Sequence, residues 1–380
     1  MGLLKPQSEP VLARNRFKNV VFDLAVNYRK TYGVEIKLPL PSEKVKLSVV
    51  VPVYNEAAVI RKCLEALNRQ TNLNFEAIFV DNRCTDKSVE IINEFAKNEA
   101  KYKIYVIFEE KAGPGNARRA GMDQAAIRQS QNSGIKYIAG TDGDSIPCET
   151  WVDDIHNGFT RGNFDLIAGD VEYFWDIQKN EHEKLRFYDF MRAITSKIGR
   201  PRVRGLNFAI KSEVYMRVGG VVQPYTDDGK IKTGEEGSLI QGVENSGGKI
   251  GHISSVVKGD PRRLILNIKE GKNAGLSLFN NSEMTNARSG EGNNLDGVTS
   301  EDVDLFIERR LKGIFRKDLV FLYKNEVRRG LYWNRVKVFL GTRSVEFAND
   351  MDCGVEDLDV LWEKYRKDFI SNLVKIGRTY

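Results

Sequence analysis

The chain has 380 residues, 41% apolar and 29% charged, a globular composition that excludes an intrinsically disordered one. A chain of this length buries a large core without disulfides. Its four cysteines, Cys63, Cys84, Cys148 and Cys353, include no CxxC pair, so a zinc cage is not expected. The net charge is +6, and residues 308–337 alone hold ten Lys or Arg against three acids. The remainder is close to neutral, which argues against nucleic-acid binding as the main task.

No apolar run approaches the roughly 18 residues that cross a bilayer. The opening MGLLKPQSEP lacks the apolar core of a signal peptide, and Pro6 stands where a myristoylation site wants Ser or Thr. With reduced thiols, this predicts a cytoplasmic protein. Residues 1–46 read as an N-terminal extension with one helical stretch and a Pro-bearing linker. LSVVVPVYNE then reads as a buried parallel strand. In the next stretch Val59, Ile60, Cys63, Leu64 and Leu67 recur at helical spacing. FEAIFVDN is a second strand, and Asp86 is expected to cap the helix after it. YKIYVIFEE is a third strand, GPGNARRAG a Gly-rich turn into a helix, and KYIAGTDGDS a fourth strand ending in acids. Such alternation predicts an α/β sheet, with the ligand beyond the carboxyl ends of its strands.

The polar residues at those ends carry the chemistry. Asp142 and Asp144 flank Gly143 and can converge on a hard divalent cation, Mg²⁺ or Mn²⁺, completed by substrate phosphates. Tyr54 can lie against a base, and Asp81 can bond a base N–H or a ribose hydroxyl. Glycines 113 and 115 precede a helix whose N-terminus favours phosphate. Arg118 or Arg119 either pairs with that phosphate or is an ordinary surface residue. The three histidines show no ligand spacing and are expected to be structural.

VPVYNE, VDNRCTDKS, GPGNARRAG and TDGDS, in this order, resemble glycosyltransferase family 2 of the GT-A fold. So do GLNFAI with Val218-Gly219-Gly220, and GEEGSL with GGKI. The resemblance implies a GT-A-like Rossmann-type mixed α/β sheet flanked by helices over 47–265. In it, 47–150 would bind the nucleotide-sugar and 151–265 would face the acceptor. A flexible loop or lid (266–300) and a helical, basic C-terminal region (301–380) follow. It also implies roles. Pro52, Tyr54, Glu56 and Asp81 would line the nucleotide pocket, Asp142 and Asp144 would hold metal and diphosphate, and Glu236 would be the base, with the acidic Glu235 before it. The sequence departs from the family in three places. The base is Glu rather than Asp, Arg83 and Cys84 replace small residues, and a metal-binding His expected near 258 is missing. Lys258, Arg262 or Arg263 would then meet the diphosphate directly.

The implied activity moves a sugar from a nucleoside-diphosphate donor, UDP-sugar favoured, to a glycan, lipid-linked or small-molecule acceptor, with inversion. A nucleotidyltransferase would carry its Gly-rich basic loop where VPVYNE stands. An inactive scaffold or binding subunit would not need Asp142, Asp144 and Glu236 together. The basic C-terminal segment has two readings, packed helices with a solvated basic face or a peripheral contact with an anionic membrane surface.

Overall fold

The structure is a computed structural model, and its described residues are 9–129, 136–173, 203–232, 234–260, 299–320, 329–355 and 357–377. They fall into two compact units. The first, with described residues 9–129, 136–171, 203–232 and 234–260, is a sheet wrapped by helices. In chain order it runs α1 (Glu9–Tyr32), β1 (Leu47–Val53), α2 (Ile60–Asn68), β2 (Phe75–Asp81), α3 (Ser88–Asn98) and β3 (Lys103–Phe108). There follow α4 (Pro114–Gln129), β4 (Tyr137–Gly140), β5 (Ser145–Pro147), α5 (Trp151–Gly162) and β6 (Leu166–Tyr173). After the residues not described come β7 (Phe208–Lys211), α6 (Ser212–Arg217), α7 (Glu236–Asn245) and β8 (Ile250–Gly259).

The strand order is β3-β2-β1-β4-β7-β6-β8-β5. β1 pairs in parallel with β2 and β4, and β2 with β3, whereas β7 is antiparallel to both β4 and β6. The expected mixed sheet is therefore present. The β-branched runs suit strands covered on both faces. Val50, Ile78 and Val80 face a core shared with Val21, Ala25, Met122, Ala125 and Tyr215. Val49, Val51, Ala77 and Phe79 face the opposite core, against Ile60, Leu64, Ile92, Phe95 and Trp151. Each buried apolar side chain contributes about 1.5–3 kcal/mol. Because β1 lies between β2 and β4, the strand order reverses at β1/β4, where α/β sheets open a crevice for ligands. VPVYNE leaves β1 and TDGDS leaves β4 at that point.

Asp86 caps differently from the expectation. α3 begins at Ser88 with Lys87 at its N-cap. The Asp86 carboxylate accepts from the Ser88 backbone N–H (3.0 Å) and from the Ala57 N–H (2.9 Å), joining two strand ends.

In the second unit the described residues 299–320, 329–355 and 357–377 are largely helical, as expected: α8 (Ser300–Phe315), a π turn Arg316–Val320, α9 (Arg329–Leu340), α10 (Ser344–Asp352) and α11 (Leu358–Gly377). A reciprocal cap between Thr299 and Asp302 opens α8. Phe315 and Leu319, in the basic segment, are buried with Phe347, Trp362, Tyr365 and Phe369. Those two side chains serve as core. Among the described residues no helix is long and apolar enough to cross a membrane. The loop expected at 266–300 lies almost wholly outside the described residues.

At the start of β2, Glu76 and Arg128 form a bidentate ion pair (2.7 and 3.1 Å) with both side chains fully buried, and Ser48 donates to the same carboxylate. Removing one partner strands a buried charge, so Glu76→Ala should cost about 3–5 kcal/mol in urea unfolding. Glu76→Leu combined with Arg128→Met should recover most of that loss.

Candidate active site

The site is organised by one buried cation. Arg118 lies one turn into α4 and is 1% exposed. Its Nη2 donates to Asp142 Oδ1 at 2.7 Å and its Nε to Glu235 Oε1 at 3.1 Å. Its guanidinium sits over the Phe208 ring at 5.7 Å. Glycine is required beside it, since a Cβ at Gly205 would lie 2.7 Å from Nη2. Arg118 is thus not a surface residue, and its Nη2 and Nε are paired with two carboxylates. Its buried Nη1 has no hydrogen-bond partner among the described residues.

The phosphate cradle expected at the GPGN turn is closed. α4 starts at Pro114, a favoured first position, but the Gly115 N–H donates to Gln223 Oε1 at 2.8 Å. Asn82 Oδ1 accepts from the Gly113 N–H in the same turn. Arg119 points away from the site, towards Asp123 and the carbonyls of Gly219 and Val221.

Asp142 and Asp144 occupy the turn between β4 and β5, and both are partly exposed. Glu56 is buried nearby, its Cγ 3.5 Å from where a Cβ on Gly143 would sit. The buried Cys63 thiol donates to the Asp142 carbonyl, and its pKa is pushed up by burial and by Asp144, Asp142 and Glu56. These three acids therefore gather at one place. One oxygen of Asp142 is committed to Arg118. Among the described residues no three His, Cys, Asp or Glu converge into a ready-made metal cage. Two carboxylates with oxygen donors only are a set that suits Mg²⁺ or Mn²⁺ sharing substrate phosphates, and not zinc.

Around the crevice, Pro52 and Tyr54 are partly exposed at the end of β1. Asp81 ends β2, and its Oδ1 accepts from the Cys84 N–H at 2.8 Å. Burial pushes the Cys84 thiol up to about 12, so it is no thiolate at neutral pH. Asn55 and Arg83 take φ of 53° and 71°, a left-handed conformation that side chains other than Asn and Asp rarely adopt. Asn55 is held by its Oδ1 accepting from the Thr85 N–H at 2.8 Å. The two strand-end turns are thus bonded to each other.

The acidic pair at the start of α7 is divided in environment. Glu235, at the N-cap, is 4% exposed and bonded to Arg118 and to the Gly234 N–H. Glu236 is only partly buried by exposure, yet its pKa is raised to about 7. Burial is the largest cause, followed by the like charge of Glu235, while Arg118 opposes the rise.

Sequence reasoning missed the Asp170–His252 pair. β4 and β6 run the same way, and Ala168 and Gly140 both pair with Phe208, so Asp170 lies two residues past that level on β6, as Asp142 lies two residues past it in the turn after β4. His252 Nε2 lies 2.9 Å from Asp170 Oδ1. That places His252 in β8 with a partner of its own. Lys258 is exposed on the same strand, opposite Ile146. Arg262 and Arg263 lie outside the described residues.

Residues 48–219 match the family described as Glycosyl transferase family 2. Glycosyltransferase AglE of Haloferax volcanii is 30% identical over 175 residues, 46% of this chain and 55% of AglE. Glycosyltransferase GlyA of Streptococcus pneumoniae is 30% identical over 146 residues, 38% of this chain and 19% of GlyA. The matches thus span about half of the first relative and a fifth of the second. A crystal structure of S. aureus TarS residues 1–349 in complex with UDP aligns with a TM-score of 0.43 and 13% identity, covering 88% of this chain and 91% of that one.

The raised pKa of Glu236 gives stability a definite pH dependence. Between about 4.5 and about 7 the folded protein retains a proton that the unfolded chain gives up. The native state binds more protons there, so this group lowers stability as pH rises through that window and levels off above it. Glu236→Gln removes the effect. Urea midpoints at about pH 4.5 and about pH 8 should show the variant gaining on the parent with rising pH; a constant difference refutes the assignment.

Proposed function

We propose that the protein is a glycosyltransferase that moves a sugar from a nucleoside-diphosphate donor to an acceptor hydroxyl, in a single displacement with inversion. The observation that carries this reading is the Arg118–Asp142–Glu235 array, which joins the acidic turn after β4 to the helix start that bears Glu236. The family match over residues 48–219 and the glycosyltransferases similar to this chain support it.

In this reaction the nucleotide lies in the β1/β4 crevice against Pro52, Tyr54, Glu56 and Asp81. Asp142 and Asp144 would hold Mg²⁺ or Mn²⁺, which when bound neutralises charge on the departing diphosphate. The acceptor O–H approaches the anomeric carbon from the face opposite the leaving group. Glu236 takes its proton as the new C–O bond forms, the bond to the diphosphate breaks, and the nucleoside diphosphate leaves with that electron pair. A carboxyl with a pKa near the working pH suits a general base, being about half ionised yet still basic. Glu235, its charge compensated by Arg118, keeps Arg118 and the start of α7 in place. A UDP-sugar is the first donor to try.

Calorimetric titration of UDP, GDP and dTDP, each with and without Mn²⁺, tests the donor and the metal together. Metal-dependent binding of one nucleotide is expected, and Asp144→Ala should abolish it. No binding of any nucleotide would leave an inactive member of the fold. For the base, Glu236→Gln should bind donor normally and turn over about 10²–10⁴-fold more slowly. The parent's kcat/KM should rise with pH through an apparent pKa of about 7, a limb absent in the variant. Parent-like turnover of Glu236→Gln would pass the role to Glu235.

A further inference from the structure

Resting on the transferase reading, the geometry points to the class of the acceptor. We propose that the hairpin of residues 221–232 is an acceptor platform on which Tyr225 receives a pyranose ring, so that the acceptor is a saccharide. The hairpin stands directly before Gly234-Glu235-Glu236 in the chain. It is closed by a bridge between Tyr225 and Ile231 and by Thr226, whose N–H donates to the Lys230 carbonyl and whose Oγ1 accepts from the Lys230 N–H. Its stem is fixed by Gln223, 7% exposed, whose amide donates to the carbonyls of Pro224 and Lys232 and accepts from the Gly115 N–H.

That fixation sets the hairpin beside the acidic pair. A Cβ on Gly115 would meet Gln223 Cα at 2.9 Å and Glu235 Cβ at 3.0 Å, so stem and acids close on the same residue. The next residue, Asn116, donates from Nδ2 to the Tyr225 hydroxyl at 3.2 Å. Tyr225 is therefore held at its hydroxyl and at its backbone, while the residue remains 50% exposed. Its polar tip is occupied and its ring is what it offers to a ligand. An exposed aromatic side chain already restrained loses little entropy when something packs on it. Near a base that must reach an acceptor hydroxyl, the fitting ligand presents a flat C–H face beside that hydroxyl. A pyranose does so; an open-chain polyol or an alkyl chain does not.

The test uses the full chain with UDP and Mn²⁺ present. The probes are the methyl pyranosides of glucose, galactose, mannose and N-acetylglucosamine, with ribitol as the open-chain control, read by saturation-transfer NMR and titration. At least one pyranoside should bind the parent, with saturation strongest on the C–H protons of one ring face. Tyr225→Phe keeps the ring and should hold affinity within about threefold, having lost only one hydrogen bond. Tyr225→Ala and Tyr225→Leu should each weaken the pyranoside about tenfold. UDP affinity and melting temperature should be unchanged in all three.

Equal pyranoside affinity in Tyr225→Leu and the parent would overturn the proposal. So would ribitol binding as tightly as any pyranoside, no pyranoside binding to a parent that binds UDP, or a loss of UDP affinity matching that of the sugar, which would make Tyr225 part of the donor pocket. Failure of the parent to bind any nucleotide sinks the transferase reading on its own. The pyranoside titrations would still decide whether Tyr225 makes a saccharide site.

Discussion

A guanidinium withdrawn from water must be matched by negative charge, and Arg118 is matched twice, by Asp142 after β4 and by Glu235 before α7. A buried cation with a single partner would leave much of its desolvation cost unrecovered. With two, it ties the acidic turn at the sheet edge to the acidic helix start, which are far apart in sequence. The constraint extends outward. Phe208 of β7 lies over the cation, and Gly205 must lack a side chain for it to fit. The placement of α4 against β1, where Gly121 meets Val50, is held from both ends of the helix, since Arg128 is likewise buried against Glu76. The helix that backs the crevice is thus fixed by charge as well as by packing.

The same pairing explains why adjacent acids behave differently. Glu235 is bonded to the Arg118 guanidinium and the Gly234 N–H, which offset its burial. Glu236 follows in the chain, faces that charge, and receives only the weaker influence of Arg118. Burial and the like charge of Glu235 raise the pKa of the Glu236 carboxyl. No histidine is required for this. His252, on β8, is matched to Asp170 instead.

Local pattern was enough to read β1 to β4, because their valines and isoleucines fill both faces of a covered sheet and the helix after β1 shows one apolar side. It also placed Asp142, Asp144 and the two glutamates at element ends. What it left open depended on partners distant in the chain. Arg118 stood between phosphate ligand and surface residue because nothing local reveals two carboxylates converging on it. The Gly115 N–H looked free for a phosphate because Gln223 lies over a hundred residues on. Asp170 gave no signal at all: its place just past the level where β4 ends follows from β7 running antiparallel between β4 and β6, a fact of topology. Asp86 was misjudged by one residue, since its carboxylate serves two turns and the cap position falls on Lys87.

The N-terminal helix shows how far the site's support extends beyond the family match, which begins at residue 48. α1 buries Val21, Ala25 and Tyr28 in the core under α4. Tyr28 and Tyr215 both donate to one oxygen of the buried Asp123, at 2.8 and 2.7 Å, and Arg119 completes the cluster from the other oxygen. Burial raises the pKa values of Asp123 and both tyrosines. An aspartate there is tolerable only while two hydroxyls and a guanidinium surround it. Arg119 follows Arg118 in the chain, so one turn of α4 presents a cation to the crevice on one side and a cation to α1 on the other. A shift of α1 large enough to break the Tyr28 bond would leave Asp123 with Tyr215 and Arg119 alone and would disturb the turn from which Arg118 reaches Asp142 and Glu235. Residues 1–46, which read as an appendage, supply through α1 part of the packing that keeps the site's central cation in place.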